Sequence, residues 1–185
     1  KLRAHSPYAI LTEERGSLKG RTETSRWIID PLDGTFNFYR SIPLACVSIA
    51  LWRAERPVFG VILNFLTGDL YEGVIGDAAR KNGKKIIVSA VRSPDQGVMF
   101  TGFPTKSAFT PRRFYRFARA VRSFKKVRLI GSAALSLAAV AQGSADIYRE
   151  EDIALWDIAA GLALVAAAGG SYRLRKRPGR YLYTV

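Results

Sequence analysis

The chain has 185 residues, 48% of them hydrophobic, which is enough for one sizeable core or two small ones. Its single cysteine, Cys46, excludes an internal disulfide framework, and its longest apolar run, residues 158–170, is too short and glycine-rich to cross a bilayer. The formal net charge of +14 is unusual for a small-molecule enzyme and is concentrated, with nine Lys and Arg and no acid over residues 97–144 and a second cluster at Arg173, Arg175, Lys176, Arg177 and Arg180.

These features predict a soluble protein of a reducing, cytoplasmic compartment with no membrane partner. The basic field suits anionic substrates or nucleic acid; a solvated helix face is the plainer account of it. Cys46 sits among strand-like apolar residues and reads as core rather than nucleophile.

In chain order, Tyr8 to Leu11 reads as a short strand, followed by the acidic turn Thr12-Glu13-Glu14-Arg15-Gly16. The polar stretch Ser17 to Ser25, with Gly20 inside it, predicts a surface loop. Trp27 to Ile29 is apolar and reads as the end of a buried strand. Asp30-Pro31-Leu32-Asp33-Gly34-Thr35 comes next. On this reading Asp30 leaves the strand tip, Pro31 fixes the backbone, and Gly34 permits a tight turn that returns Asp33 toward Asp30. Carboxylates that close repel unless a cation lies between them, so the spacing points to a divalent metal. Gly34-Thr35 would then open a helix whose free N–H groups can hold a phosphate. The plainer alternative is a turn and nothing more, since Asp, Pro and Gly are common turn residues.

Strand-like runs follow at Ile42 to Trp52, Val58 to Phe65, Leu70 to Val74 and Ile86 to Ser89, with turns expected at Arg56-Pro57, Thr67-Gly68 and Asn82-Gly83. They predict a mainly antiparallel sheet over residues 1–104. A further strand is expected at Gly97 to Thr101. Gly102 to Ser107 is no P-loop, because the Gly before Lys106 is missing. Thr110-Pro111 starts an amphipathic helix, with Phe114, Phe117, Val121 and Phe124 on one face and arginines largely elsewhere. A strand at Val127 to Ile130, a helix from Ala133 to Gln142 and a strand at Ala145 to Tyr148 lead to Glu150-Glu151-Asp152. The apolar helix Trp156 to Ala168 carries Asp157 at its N-terminal end, where the helix dipole keeps a carboxylate ionised. Asp157 can serve there as a metal ligand or simply as a cap. Ser171 to Val185 reads as a basic, hairpin-like tail. Residues 105–185 thus form a smaller α/β portion of one compact catalytic unit.

The string Trp27 to Phe38 resembles the signature of the inositol monophosphatase family of Mg2+-dependent phosphatases, and Leu155 to Gly161 resembles that family's second signature. The resemblance covers nearly the whole chain from Ala9 onward. It implies a layered α/β/α/β/α sandwich of the inositol monophosphatase and fructose-1,6-bisphosphatase type. It also implies that Glu13 is a metal ligand, that Glu14 helps position an attacking water, and that Asp30, the Leu32 carbonyl, Asp33 and Asp157 complete the ligand set. Thr35 would orient the water with Glu13, and the Gly34 and Thr35 amides would hold the phosphate. Gly131, Ser132, Ala133 and Glu150, beside Asp33 and Asp157, would face the alcohol portion of the substrate. The all-oxygen set suits two or three Mg2+ ions, and the lone His5 offers no zinc alternative. Inhibition by Li+ and a homodimer follow by the same resemblance. Thr12 stands where most members have Gly. Members are also longer at both ends, with N-terminal helices bearing a Lys and an Asp near the metals and a last strand and helix beyond the position of Val185.

The implied activity is hydrolysis of a small phosphorylated sugar or cyclitol, inositol monophosphate or fructose 1,6-bisphosphate, by an activated water without a covalent intermediate. A nucleotide 3′-phosphatase is the nearest alternative. A haloacid-dehalogenase-type phosphatase needs Asp-x-Asp-Gly-Thr, and here the two aspartates stand one position further apart. The alternative of another class is a protein that binds RNA or a transcription complex through its basic surface.

Overall fold

The computed structural model describes residues 2–103, 110–176 and 182–184. The single helical turn α1 (Leu2–His5) precedes β1 (Tyr8–Thr12), β2 (Gly16–Leu18) and the long β3 (Thr22–Asp33). A five-residue helix, α2 (Thr35–Tyr39), leads into β4 (Cys46–Arg53), β5 (Arg56–Asn64), β6 (Asp69–Val74), β7 (Ala79–Lys81) and β8 (Lys84–Ile86). These eight strands form one sheet in the order β2-β1-β3-β4-β5-β6-β7-β8, antiparallel except for the β1/β3 pair. A 3-10 turn at Pro94–Gln96 introduces β9 (Val98–Thr101), then α3 (Pro111–Arg122), β10 (Lys126–Arg128), α4 (Ala133–Ala141) and β11 (Ile147–Arg149). The parallel sheet β10-β9-β11 is small. β12 (Glu151–Ala154), α5 (Leu155–Ala167), β13 (Arg175–Lys176) and β14 (Leu182–Thr184) complete the described chain, with order β12-β14-β13 in a third sheet.

The core lies between the large sheet and the helix pair α4/α5. Strand β4 alternates strictly, with Cys46, Ser48, Ala50 and Trp52 buried toward the helices, as a half-covered strand requires. Helix α5 is apolar almost all round because it is covered twice, by the sheet on one side and α4 on the other. Small residues let it lie close. A Cβ on Gly60 of β5 would stand 2.4 Å from the Ala160 carbonyl oxygen, and one on Gly161 would stand 2.4 Å from Cβ of Leu137 in α4. The Trp52 indole N–H donates to the Ala159 carbonyl at 3.2 Å, so the buried helix and sheet are also tied by a polar contact. The small sheet packs on the far side of α4, and α3 covers it, with Phe117 and Ala120 facing Met99 and Thr101.

Several expected boundaries move. Ser17 to Ser25 is a loop only at residues 19–21: Ser17 and Leu18 belong to β2, and Thr22 to Ser25 open β3. The β4/β5 hairpin turns at Ala54-Glu55, both with positive φ (47° and 60°), while Arg56 and Pro57 already belong to β5. Ala and Glu hide a turn that Asn-Gly would have announced. Asn82-Gly83 does turn as expected, with φ of 50° and 77°. The strand expected from Ile42 begins at Cys46, that expected at Ile86 to Ser89 is Lys84–Ile86, and β7 was not expected at all. Those expected at Val127 to Ile130 and Ala145 to Tyr148 are Lys126–Arg128 and Ile147–Arg149. The expected boundary after residue 104, the segment to Ser107 and the middle of the basic tail lie outside the described residues.

Candidate active site

Strand β3 does not end at Asp30. It continues to Asp33 through a bulge: Asp30 pairs with Ser48 and Asp33 with Cys46, three steps on one strand against two on the other. Along a regular strand, residues three apart point to opposite faces; the one extra residue brings both carboxylates to the helix-covered face. Asp30 is 1% and Asp33 7% exposed. Gly34 follows with φ 82°, and a Cβ there would stand 2.5 Å from the Leu44 carbonyl oxygen, so only glycine fits the turn into α2.

The third carboxylate comes from α5. Asp157 accepts the Ala154 N–H at 3.2 Å, so it caps the helix, and it also reaches the other two: ligand oxygens of Asp30, Asp33 and Asp157 lie within 4.8 Å of one another. The two readings of Asp157 are therefore compatible. Asp33 is held by the start of α4, accepting the Ser132 hydroxyl, the Ala134 N–H at 2.9 Å and the Cys46 thiol at 3.7 Å. Asp30 accepts the Leu32 N–H at 2.9 Å, and the Thr35 hydroxyl donates to the Leu32 carbonyl at 2.8 Å.

Burial, reinforced by the Asp33 charge, pushes the Asp30 carboxyl up to about 7. Burial and the charges of Asp33 and Asp30 push Asp157 up to about 8. Asp33 is raised by burial against the opposing pull of the Ser132 hydroxyl and the α4 amides. Three like charges this close, two of them buried and the third half-buried, cannot ionise together without compensation. The donor set consists of hard oxygens, and the Ser48 hydroxyl, opposite Asp30 in register, is buried without a hydrogen-bond partner. Such a cluster fits a hard divalent cation that would restore all three carboxylates to the charged form.

The carboxylates form the floor of a cleft of about 480 Å³. Glu13, exposed in the turn after β1, lines one wall with Leu32, Gly34 and Thr35; Gly131, Ser132, Ala133 and Glu150 line the other. The structure thus brings together every residue singled out in the sequence except Glu14, which is exposed in the same turn as Glu13 and is not among the lining residues. Glu150 accepts the Tyr148 hydroxyl at 2.6 Å, and burial raises its carboxyl to about 7.

Sequence reasoning missed three supports. The Ser132 side chain fixes Asp33 as well as lining the cleft, and Cys46 is a thiol donor to the same carboxylate rather than only core. Asn37 of α2 is buried and donates to the carbonyls of Leu44 (2.9 Å) and Ile130 (2.7 Å), clamping the two walls together. A polar residue on the inward side of a short helix was the available signal.

A family model, that of the inositol monophosphatase family, matches residues 2–184. The chain belongs to the inositol monophosphatase family. It is 41% identical over 169 residues to an inositol-1-monophosphatase of Mesorhizobium japonicum, covering 91% of this chain and 64% of that protein. It is 37% identical over 169 residues to the Nus factor SuhB of Pasteurella multocida, covering 91% of this chain and 63% of that protein. Its fold is that of the family. The inositol monophosphatase of Anabaena superimposes with a TM-score of 0.85 at 39% identity, over 91% of this chain and 68% of that one. SuhB of Mycobacterium tuberculosis gives 0.84 at 30% identity, over 99% and 72%. The chain thus spans less than two thirds of the length of the first two relatives.

Proposed function

We propose that this chain carries the catalytic centre of a Mg2+-dependent phosphatase acting on a small phosphate monoester, with inositol monophosphate and fructose 1,6-bisphosphate as leading substrates. The observation that carries the reading is the trio of buried Asp30 and Asp33 and half-buried Asp157 on the floor of an open cleft. With Glu13 and the Leu32 carbonyl, these residues would hold the metal. Bound Mg2+ supplies Lewis acidity, which makes water a nucleophile near neutral pH and offsets charge on the phosphate.

The protein's own part is positioning. Asp33 is locked by Ser132 and the Ala134 amide, so it keeps its place when charged. Thr35 gives its proton to the Leu32 carbonyl, leaving its oxygen free to accept from a water that Glu13 or Glu14 also orients. The Gly34 and Thr35 amides are the donors assigned to the phosphate oxygens. Glu150, held by Tyr148, lies where hydroxyls of the alcohol portion would reach it. We expect pairing of two copies over the exposed apolar residues Phe36, Phe38, Tyr39, Phe65 and Leu66, to be read by light scattering.

The test is phosphate release from inositol 1-phosphate, fructose 1,6-bisphosphate and 3′-phosphoadenosine 5′-phosphate, with Mg2+ or with chelator, for wild type and Asp157→Asn. Asparagine can still accept the Ala154 N–H, so helix content should hold while release is abolished. Equal release by the variant would reduce Asp157 to a cap and sink the reading. A second reading, a partner-binding member of the family, is favoured by the basic excess and by relatives named Nus factors.

A further inference from the structure

Helix α3 and strand β10 concentrate cations, and only part of them are engaged in ion pairs among the described residues. On the inner side of α3, Arg113 is engaged with Asp152 (2.5 Å) and Glu151 (3.2 Å), and Arg116 with Glu151 (2.7 Å). These pairs engage Glu151 and Asp152. On the outer side Arg112, Arg119 and Arg122 are exposed, and they continue into Lys125, Lys126 and Arg128. Among the described residues none of these six forms an ion pair.

The spacing makes them one surface. Positions 112, 115, 119 and 122 recur at three- and four-residue intervals and so share a helix stripe, which is about 15 Å long at the usual rise. β10 is the edge of its sheet, with Lys126 and Arg128 exposed on one side and Val127 turned toward the other. Arg128 precedes Leu129, which lines the catalytic cleft, so the surface ends at the cleft mouth. Lysine on an edge strand also discourages strand addition. That function explains Lys126 and leaves the helix stripe unexplained.

One residue in the stripe selects among polyanions. Tyr115 is 67% exposed between Arg112 and Arg119, one turn from each. An aromatic ring held open amid guanidinium groups is a stacking platform for an unpaired base. A lipid surface would instead need the apolar side of α3, and Phe117 and Ala120 there face inward, lining a cavity with Met99 and Thr101. From this juxtaposition we infer that the outer stripe of α3 and the exposed edge of β10 form a docking surface for single-stranded RNA, read by backbone charge and base stacking rather than by sequence. This develops the partner-binding reading and is independent of the catalytic one.

The experiment is fluorescence anisotropy with a labelled twelve-residue oligouridylate from 50 to 200 mM KCl. Six phosphate contacts would give a slope of log K on log salt of about −4, a loss of roughly 300-fold across that range. Arg119→Glu/Arg122→Glu should weaken binding at least about ten-fold at 50 mM and flatten the slope. Tyr115→Ala should weaken binding about five-fold or more while leaving the slope unchanged. All three substituted residues are exposed, so thermal melts and Mg2+-dependent phosphate release should match wild type. Asp30→Asn should bind RNA as wild type does, which separates failure of this inference from failure of the phosphatase reading. Binding that is undetectable in wild type, or unchanged in Arg119→Glu/Arg122→Glu, overturns the proposal. So does equal affinity for duplex RNA, polyglutamate or phosphatidylserine vesicles, since Tyr115 would then select nothing.

Discussion

Removing the charge of Asp30 should stabilise the metal-free protein and abolish its response to Mg2+. The unfolded chain releases the Asp30 proton near the ordinary value of 3.8, the native protein near 7. Between those values the native state binds more protons, so stability falls as pH rises. The gap is roughly three pH units at about 1.4 kcal/mol each, so the ionised group costs the native state up to about 4 kcal/mol at pH 8. At pH 5 the cost is only about 1–2 kcal/mol, because most native molecules still hold the proton. Asn in place of Asp30 keeps the acceptor for the Leu32 N–H, and its amide can donate to Asp33 or Asp157. In urea unfolding with chelator, Asp30→Asn should therefore exceed wild type by about 2–4 kcal/mol at pH 8, and by about 1–2 kcal/mol at pH 5. Mg2+ at a hundred times its dissociation constant should add about 2.7 kcal/mol to wild type and nothing to the variant. A variant less stable than wild type in chelator at pH 8, or a difference that does not change with pH, would refute the idea that the trio is electrostatically frustrated without a cation.

Two further outcomes test the scaffold around the trio. Ser132→Ala removes the hydroxyl that donates to Asp33 and accepts the Leu135 N–H. It should cost about 1–3 kcal/mol of stability and about 10–100-fold in Mg2+ affinity by calorimetry. Gly60→Ala places a methyl 2.4 Å from the Ala160 carbonyl oxygen. The resulting shift of α5 should cost about 1–3 kcal/mol in urea unfolding and lower phosphate release, because Asp157 rides on that helix.

The carboxylates themselves were legible because their chemistry is local: Asp30-Pro31-Leu32-Asp33-Gly34 announces charge and turn together, and Asp157 opens a plainly apolar helix. Strand β4 was legible from its apolar run, though it starts at Cys46 rather than Ile42, and α4 from its uninterrupted small and aliphatic residues. What stayed hidden depends on partners. The bulge in β3 exists only as a mismatch with β4, and no property of Pro31 or Leu32 states it. The grip of Ser132 on Asp33 spans 99 positions. The Ala54-Glu55 turn is imposed by the pairing of β4 and β5 against the local preference of both residues. Glu14, by contrast, was assigned through resemblance alone, and the geometry keeps it off the cleft lining.

The bulge has a genetic consequence. Side-chain direction on a strand is a parity, and the extra residue between Asp30 and Asp33 changes odd to even. Loss of Pro31 or Leu32 alone would leave Asp30 and Asp33 two residues apart on a regular ladder and still on one face, so what the bulge adds is the extra backbone between them, with the Leu32 carbonyl that Thr35 holds. One residue more is the disruptive change: with the same single bulge it would turn Asp33 to the face opposite Asp30, although every acid remained in the sequence.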